Sequence, residues 1–272
     1  MLIGWAVAVG VLTTLALFLI QPRLPKEQLP APRRTHYRFM WKPLFWLLAV
    51  STVIQGFALN LPGIYIPSYA TDTGHGVTKG AVLLSMLNLA TAVGQPSMGH
   101  LADSLGSIWL PLSLSTVVSG VTCLLLWGFE GYRSSFPALL FVCFLYGGAS
   151  GGYAVLRTRF SSAIVGDDEP TPEDQNHQTL IVFGVLTLLR GFSNAGSGFV
   201  GAALVDESVE VVPGYGVKKW RWLIVFVGLT MVIAAGGAAG KWLMPRREKD
   251  AASEASGEGQ AEETDDVAAR QT

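Results

Sequence analysis

Seven long apolar runs separated by short polar links organise this 272-residue chain. They cover residues 2–20, 44–65, 80–99, 108–128, 136–155, 180–204 and 223–244. The first holds nineteen residues without a charge, roughly 28 Å of helix and close to the thickness of a hydrocarbon core. A soluble helical protein alternates apolar and polar faces within each helix; here the charges gather in the links instead. The pattern predicts an all-α, polytopic membrane protein with seven transmembrane helices.

Composition agrees. Half the residues are hydrophobic and only 14% are charged, well below the roughly one quarter usual in soluble domains. The placement of Lys and Arg then orients the chain. Arg23, Lys26, Arg33, Arg34, Arg38 and Lys42 fill the first link against the single acid Glu27, whereas the second-to-third link holds only Lys79 and the fourth-to-fifth only Arg133. Arg157 and Arg159 follow the fifth run, and Arg246, Arg247 and Lys249 follow the seventh; Lys218, Lys219 and Arg221 go the other way. The majority predicts an amino terminus outside and a carboxyl terminus in the cytoplasm. No basic residue precedes the first run and its core is too long for a signal peptide, so it reads as a span. Cys123 and Cys143 fall inside spans and read as buried thiols, not a disulfide.

Four segments follow: a first transmembrane helix at 1–20, a basic cytoplasmic linker at 21–43, a six-helix bundle at 44–244, and an acidic tail at 245–272. The tail lacks aromatic residues and is expected to be disordered and cytoplasmic. Within the acidic link at 166–177, Thr171-Pro172-Glu173 reads as a helix start with Pro at the first position.

Inside the bundle, helix breakers and polar stripes mark the candidate solute site. Secondary transporters bind substrate near the midplane, where helices interrupted by Gly or Pro occupy matching places in their repeats. Two groups of three spans follow the first. The leading helix of one is interrupted at Asn60-Leu61-Pro62-Gly63, that of the other at Gly147-Gly148-Ala149-Ser150-Gly151-Gly152. Tyr146, Ser150 and Tyr153 share a face, as do Asn88 and Gln95, and as do Thr187, Arg190, Asn194 and Ser197. Gly191, Ala195, Gly198 and Ala202 form a small-residue stripe suited to close helix contact, with a similar pair at Gly236 and Gly240. The plainer reading of Asn88, Gln95 and Ser150 is a hydrogen bond to a neighbouring helix, and of the glycines, packing. Glu130, Lys241 and Arg246 read as interfacial. Arg190 is the prime candidate: an intramembrane Arg is costly and faces a polar cavity or a partner, and its guanidinium matches a carboxylate with two parallel hydrogen bonds. The alternative is that Arg190 snorkels to the cytoplasmic edge. No catalytic dyad, metal-ligand spacing or phosphate-binding loop is present, so neither an enzyme nor a cofactor is expected.

The link between the third and fourth spans carries Gly99-His100-Leu101-Ala102-Asp103-Ser104-Leu105-Gly106. It resembles the loop motif of the major facilitator superfamily in its second-half copy, with Gly99, Asp103 and Gly106 at the motif positions. The surroundings resemble the fungal monocarboxylate-porter-like branch: Gln55-Gly56-Phe57, the run from Leu61 to Asp72, Asn88 with Gly94-Gln95, Tyr146-Gly147-Gly148 with Gly151-Gly152-Tyr153, and Arg190-Gly191-Phe192-Ser193-Asn194. The resemblance implies half of a major-facilitator bundle plus one preceding helix, namely helices six to twelve of twelve. It implies a secondary active, alternating-access symporter for a small organic solute, a monocarboxylate by analogy, moved with protons. It places the protein in the plasma membrane, with the vacuolar membrane as the alternative. A missing N-terminal half is then expected to be required for activity. Two departures stand out: Ser104 and Ser107 occupy positions usually basic, and the span at 80–99 has no counterpart of the charged pair found in animal members. A seven-helix receptor and a non-transporting remnant or scaffold fit the same topology.

Overall fold

The computed structural model describes residues 2–19, 36–132, 135–166 and 171–242. The tail, most of the basic linker, Arg133 and Arg246 lie outside the described residues. Among the described residues there is no strand. The chain divides into two units, the first ending at Thr35 and the second beginning at His36. The first contains α1 (Leu2–Leu19), in which the Thr13 and Thr14 hydroxyls return to the carbonyls four residues back, at 2.8 Å each.

The second unit holds six helical spans long and apolar enough to cross a membrane. They comprise α2 (Pro43–Leu59) with α3 (Leu61–Asp72); α4 (Gly76–Ser104); α5 (Trp109–Val121) continued by a π-helical segment (Thr122–Trp127) and α6 (Gly128–Glu130); α7 (Phe136–Ser150) with α8 (Gly152–Val165); α9 (Pro172–Leu204); and α10 (Arg221–Ala234) with a 3₁₀ extension (Ala235–Trp242). Several helices run further than their apolar cores. α4 extends to residues 76 and 104, and α9 starts at Pro172. The polar start of α9 is held by a cap. Thr171 accepts a hydrogen bond from the Asp174 amide at 3.1 Å, the expected start with Pro at the first turn. Arg157 and Arg159 therefore lie within α8, not in a link beyond the fifth span.

Two spans are broken, and at corresponding places. α2–α3 and α7–α8 each occupy 30 residues, with the interruptions at Asn60 and Gly151. At the first, Pro62 lacks the N–H that would bond the Ala58 carbonyl. Tyr146 of α7 brings its hydroxyl there, donating to Leu59 O at 3.1 Å and lying 3.5 Å from Ala58 O. The second break follows from packing. A Cβ on Gly94 of α4 would collide with the backbone of Gly148, one on Gly147 with the Leu87 carbonyl, and one on Gly152 with the Met98 side chain. Backbones thus meet directly, the contact small residues permit between membrane helices.

On α9 the expected glycine contacts fall elsewhere, and on the last span one of the two expected glycines, Gly240, packs. Gly191 and Gly198 have nothing within 4 Å of a notional Cβ; the glycines of α9 that pack are Gly196, on Phe57, and Gly201, on Leu61 and Tyr65. On the last span Gly236 is open, while Gly237 meets Ser51 and Gly240 meets Trp109. An apolar helix gives no period that tells the packed face from the open one.

Packing produces two apolar clusters. One gathers Ala58, Tyr69, Leu87, Trp127, Tyr146, Trp220 and Met231; the other Leu48, Ala102, Leu112, Tyr153, Phe160 and Leu186. Residues between them in sequence are polar ones: Ser51, Thr52 and Gln55 on α2, Ser115 and Ser119 on α5, Ser150 at the end of α7, and Arg190, Ser193 and Ser197 on α9. Gly94→Ala is expected to destabilise the bundle by about 1–3 kcal/mol through overpacking. Gly198→Ala should change stability by less than about 1 kcal/mol. Thermal unfolding of the two variants in detergent checks this, and equal effects would contradict the assigned helix contact.

Candidate functional site

The polar belt between the apolar clusters is the candidate site. Hydroxyls in a membrane-spanning helix must find acceptors, since hydrocarbon offers none. Most bond their own helix, as Thr52 does Leu48 O at 2.7 Å and Ser193 does Leu189 O at 2.9 Å. Others tie helices together. Ser51 donates to Ala234 O at 2.7 Å, joining α2 to α10, and Ser115 to Ala149 O at 2.7 Å, joining α5 to the end of α7. Tyr153 lies 3.0 Å from the Ser51 hydroxyl and 3.1 Å from that of Thr52.

Arg190 sits in this belt. It is the nineteenth of the 33 residues of α9 and is buried at 7% exposure, so its position is near the helix middle and inside the bundle, not at an edge. Its Nη1 donates to Gln55 Oε1 at 3.1 Å. No carboxylate among the described residues pairs with it. The Gln55 amide nitrogen and the Asn194 side-chain oxygen are both buried without a partner among the described residues. The site therefore combines a desolvated cation with a neutral partner and two unmet polar groups.

The remaining candidates divide. Tyr146, Ser150 and Tyr153 are buried on α7–α8, although Tyr146 is occupied at the α2–α3 break and Tyr153 on the α2 hydroxyls. Asn60 is exposed at that break, Asn88 is exposed on α4, and Gln95 is half-buried against Gly151. Asn88 and Gln95 thus differ in environment despite their shared register. Thr187 is exposed and accepts from Arg157 Nη1 at 3.4 Å. At the far end of α4, Gly106 adopts φ +56° just past the helix, Gly99 packs on Val155, and Asp103 forms an ion pair with Arg159 of α8.

Three residues escaped the sequence pattern. Gln55 supplies the partner of Arg190; it was legible as a polar residue in an apolar span. Arg157 lies on α8 with its Nε buried and unpartnered, and was hidden by placing the span's end at residue 155. Glu130, the last residue of its span, is 4% exposed and accepts a bond from the Tyr69 hydroxyl at 2.9 Å. The π-helical segment before it carries α6 into the bundle, and no periodicity announces such a segment. Glu130 lies beyond the Tyr69–Trp127 cluster and apart from the belt.

Comparison with known proteins fits this architecture. The profile of the Major Facilitator Superfamily matches residues 1–163 and 48–269. MFS-type transporter pynF of Aspergillus niger is 28% identical over 195 residues, covering 71% of this chain and 39% of that protein. Uncharacterized transporter ESBP6 of Saccharomyces cerevisiae is 25% identical over 179 residues, 63% of this chain and 26% of its own length. Monocarboxylate transporter 12-B of Danio rerio is 30% identical over 135 residues, 48% of this chain and 27% of that one. The chain thus spans 39% or less of the length of these relatives. All three are transporters by name, neither enzymes nor receptors, which sets aside the seven-helix receptor reading. With six membrane-length helices and a family match across most of its residues, the chain is an integral, multi-pass membrane protein belonging to the major facilitator superfamily.

Proposed function

We propose that this chain forms the second helical bundle of a secondary transporter for a small organic anion, with Arg190 as the cation that holds the anionic group. The observation that carries the reading is the burial of Arg190 near the middle of α9 with only neutral Gln55 as partner. Leaving a desolvated charge without an opposite charge is expensive, and an anionic solute supplies what is lacking. The guanidinium gives a carboxylate two parallel donors, and the unmet Gln55 Nε2 offers another. A monocarboxylate is the class suggested by the name of the zebrafish relative. The solute moves with a proton in this reading, the acid for which lies outside the belt.

Alternating access requires two bundles rocking about a shared site. Only 22% of the apolar stretch of α4, and of α9, is buried within the unit, against 56% and 61% for the two broken spans. Asn88, Leu89 and Val93 on α4, and Phe192 and Phe199 on α9, lie exposed. These flanks suit a second bundle, which we infer is needed for transport. In this scheme the chain crosses the plasma membrane with α1 entering from outside and the Asp103 end of α4 in the cytoplasm, following the excess of Lys and Arg in the first link.

Three measurements test these statements. Binding of labelled propionate to the purified chain in detergent should fall by at least tenfold in Arg190→Gln and less in Arg190→Lys, which keeps the charge but loses the fork; equal binding by wild type and the Gln variant rules the role out. Vesicles holding only this chain should show little uptake of the labelled anion, and saturable uptake would overturn the need for a second bundle, whereas no uptake even with a second bundle supplied would favour a non-transporting remnant. In intact cells a membrane-impermeant maleimide should reach Val77→Cys, at an exposed position, while Ser104→Cys should react only after permeabilisation. The reverse pattern would invert the topology.

A further inference from the structure

Arg190 is not the only guanidinium at the site. Arg157 projects from α8, the neighbour of α9, and its Nη1 reaches Thr187 Oγ1 at 3.4 Å. Thr187 precedes Arg190 by three residues, so the two lie on one face of α9, about 4.5 Å apart along the axis. The Arg157 head group therefore sits within roughly one helical turn of Arg190. Its planar group lies 5.8 Å from the centre of the Phe183 ring, which holds it against α9.

The partners of the two groups make the pair unusual. Like charges repel, and beside a buried Arg190 and a half-buried Arg157 water screens them only in part. An acid between them would restore balance, yet no carboxylate among the described residues pairs with either. Arg159, two residues along the same helix, does have one, in Asp103. Arg157 instead meets a neutral hydroxyl through Nη1 and keeps a buried Nε without a partner. Beside Arg190 the Gln55 amide nitrogen is likewise unmet. Unmet donors thus lie on α2 and α8, the two helices that hydrogen-bond α9 through Gln55 and Arg157, and no carboxylate among the described residues pairs with either arginine.

We infer that Arg157 is a second anion-binding group, and that the solute this site prefers carries two separated acidic groups, as a small dicarboxylate does. One carboxylate takes the Arg190 guanidinium with the Gln55 amide, and the other takes Arg157 one turn along α9. Thr187, now bonded to Arg157, gives up that bond to the anion or accepts from the remaining N–H. The inference rests on the reading of Arg190 as an anion site. It adds a discrimination that Arg190 alone does not supply, because a single guanidinium fork binds one carboxylate and leaves the rest of the solute unread.

The test compares succinate with propionate, which share one carboxylate and differ in the second. Dissociation constants are measured by calorimetry on the purified full chain in detergent. Wild type should bind succinate about tenfold more tightly than propionate. In Arg157→Gln that ratio should fall to about one, and Arg157→Lys, which keeps the charge, should hold an intermediate ratio. A substitution that merely loosened the bundle would weaken both anions and leave the ratio unchanged. Equal affinities in wild type, or an unchanged ratio in Arg157→Gln, overturn the inference while propionate binding lost in Arg190→Gln keeps the anion site intact. Should Arg157→Gln fail to assemble, the wild-type ratio and the Lys variant decide the question. Binding of neither anion by wild type would overturn both the Arg190 reading and the role of Arg157.

Discussion

The contact between α4 and the broken α7–α8 span governs the arrangement of the bundle. Gly94 meets the backbone of Gly148, Gly147 meets the Leu87 carbonyl, and Gly151 lies against Thr91 and Gln95. In a bilayer no hydrophobic force draws helices together, and close backbone approach is a principal source of attraction. The glycines cost helix stability locally but permit that approach. Their second consequence lies in the belt. With α7 seated against α4, Tyr146 reaches the α2–α3 break, donating to Leu59 O beside the Ala58 carbonyl that Pro62 leaves without its helical donor. The break in one span is thus supported by a side chain from the other broken span.

That reciprocity explains how polar groups persist at mid-bundle. Ser115 donates to Ala149 O just before the second break, and Ser51 to Ala234 O where α10 gives way to its 3₁₀ extension. Hydroxyls from neighbouring helices serve backbone groups near irregular places, as buried irregular backbone requires. Apolar clusters on either side exclude other partners. Within the layer, Arg190 differs in kind. Hydroxyls and amides can be satisfied by a neighbour, but a buried guanidinium with only the neutral Gln55 as partner keeps much of its desolvation cost, and this sets it apart from the groups that hold the layer together.

Much of this was visible in the sequence, and the limits have physical causes. The breakers at Asn60–Gly63 and Gly147–Gly152 stood out because Pro and clustered Gly act through the backbone, whatever surrounds them. Arg190 stood out because one charge in an apolar run has few explanations. The packed face of α9 was not legible: Gly191 and Gly198 promised a contact that Gly196 and Gly201 make, since lipid-facing and helix-facing surfaces are both apolar. Helix ends were drawn short, as polarity ends the apolar run but not the hydrogen-bonded ladder. That error hid Arg157. The burial of Glu130 was not legible for a related reason, since a π-helical segment alters the facing of every residue after it without a signature in composition.

The loop motif shows how a departure in sequence is met by tertiary structure. Ser104 and Ser107 stand where basic residues are usual, leaving Asp103 at the carboxyl end of α4 without a cation nearby in sequence. A carboxylate there opposes the negative end of the helix dipole. Arg159 of α8 supplies the missing charge: one amino group pairs with Asp103, and the other donates to Ala102 O at 3.3 Å. On α8 itself, Lys42 donates to Ile164 O at 2.6 Å and Val165 O at 2.9 Å, binding the last carbonyls to the start of α2. Cations thus sit at the carboxyl ends of both helices, where the dipole favours them. The same α4–α8 pair that glycines bring together near the middle of the bundle is tied by charge at this end. Any rearrangement that separates α4 from α8 at this end must break the Asp103–Arg159 pair; with both side chains largely exposed, the pair adds about 1 kcal/mol or less to the closer glycine contact.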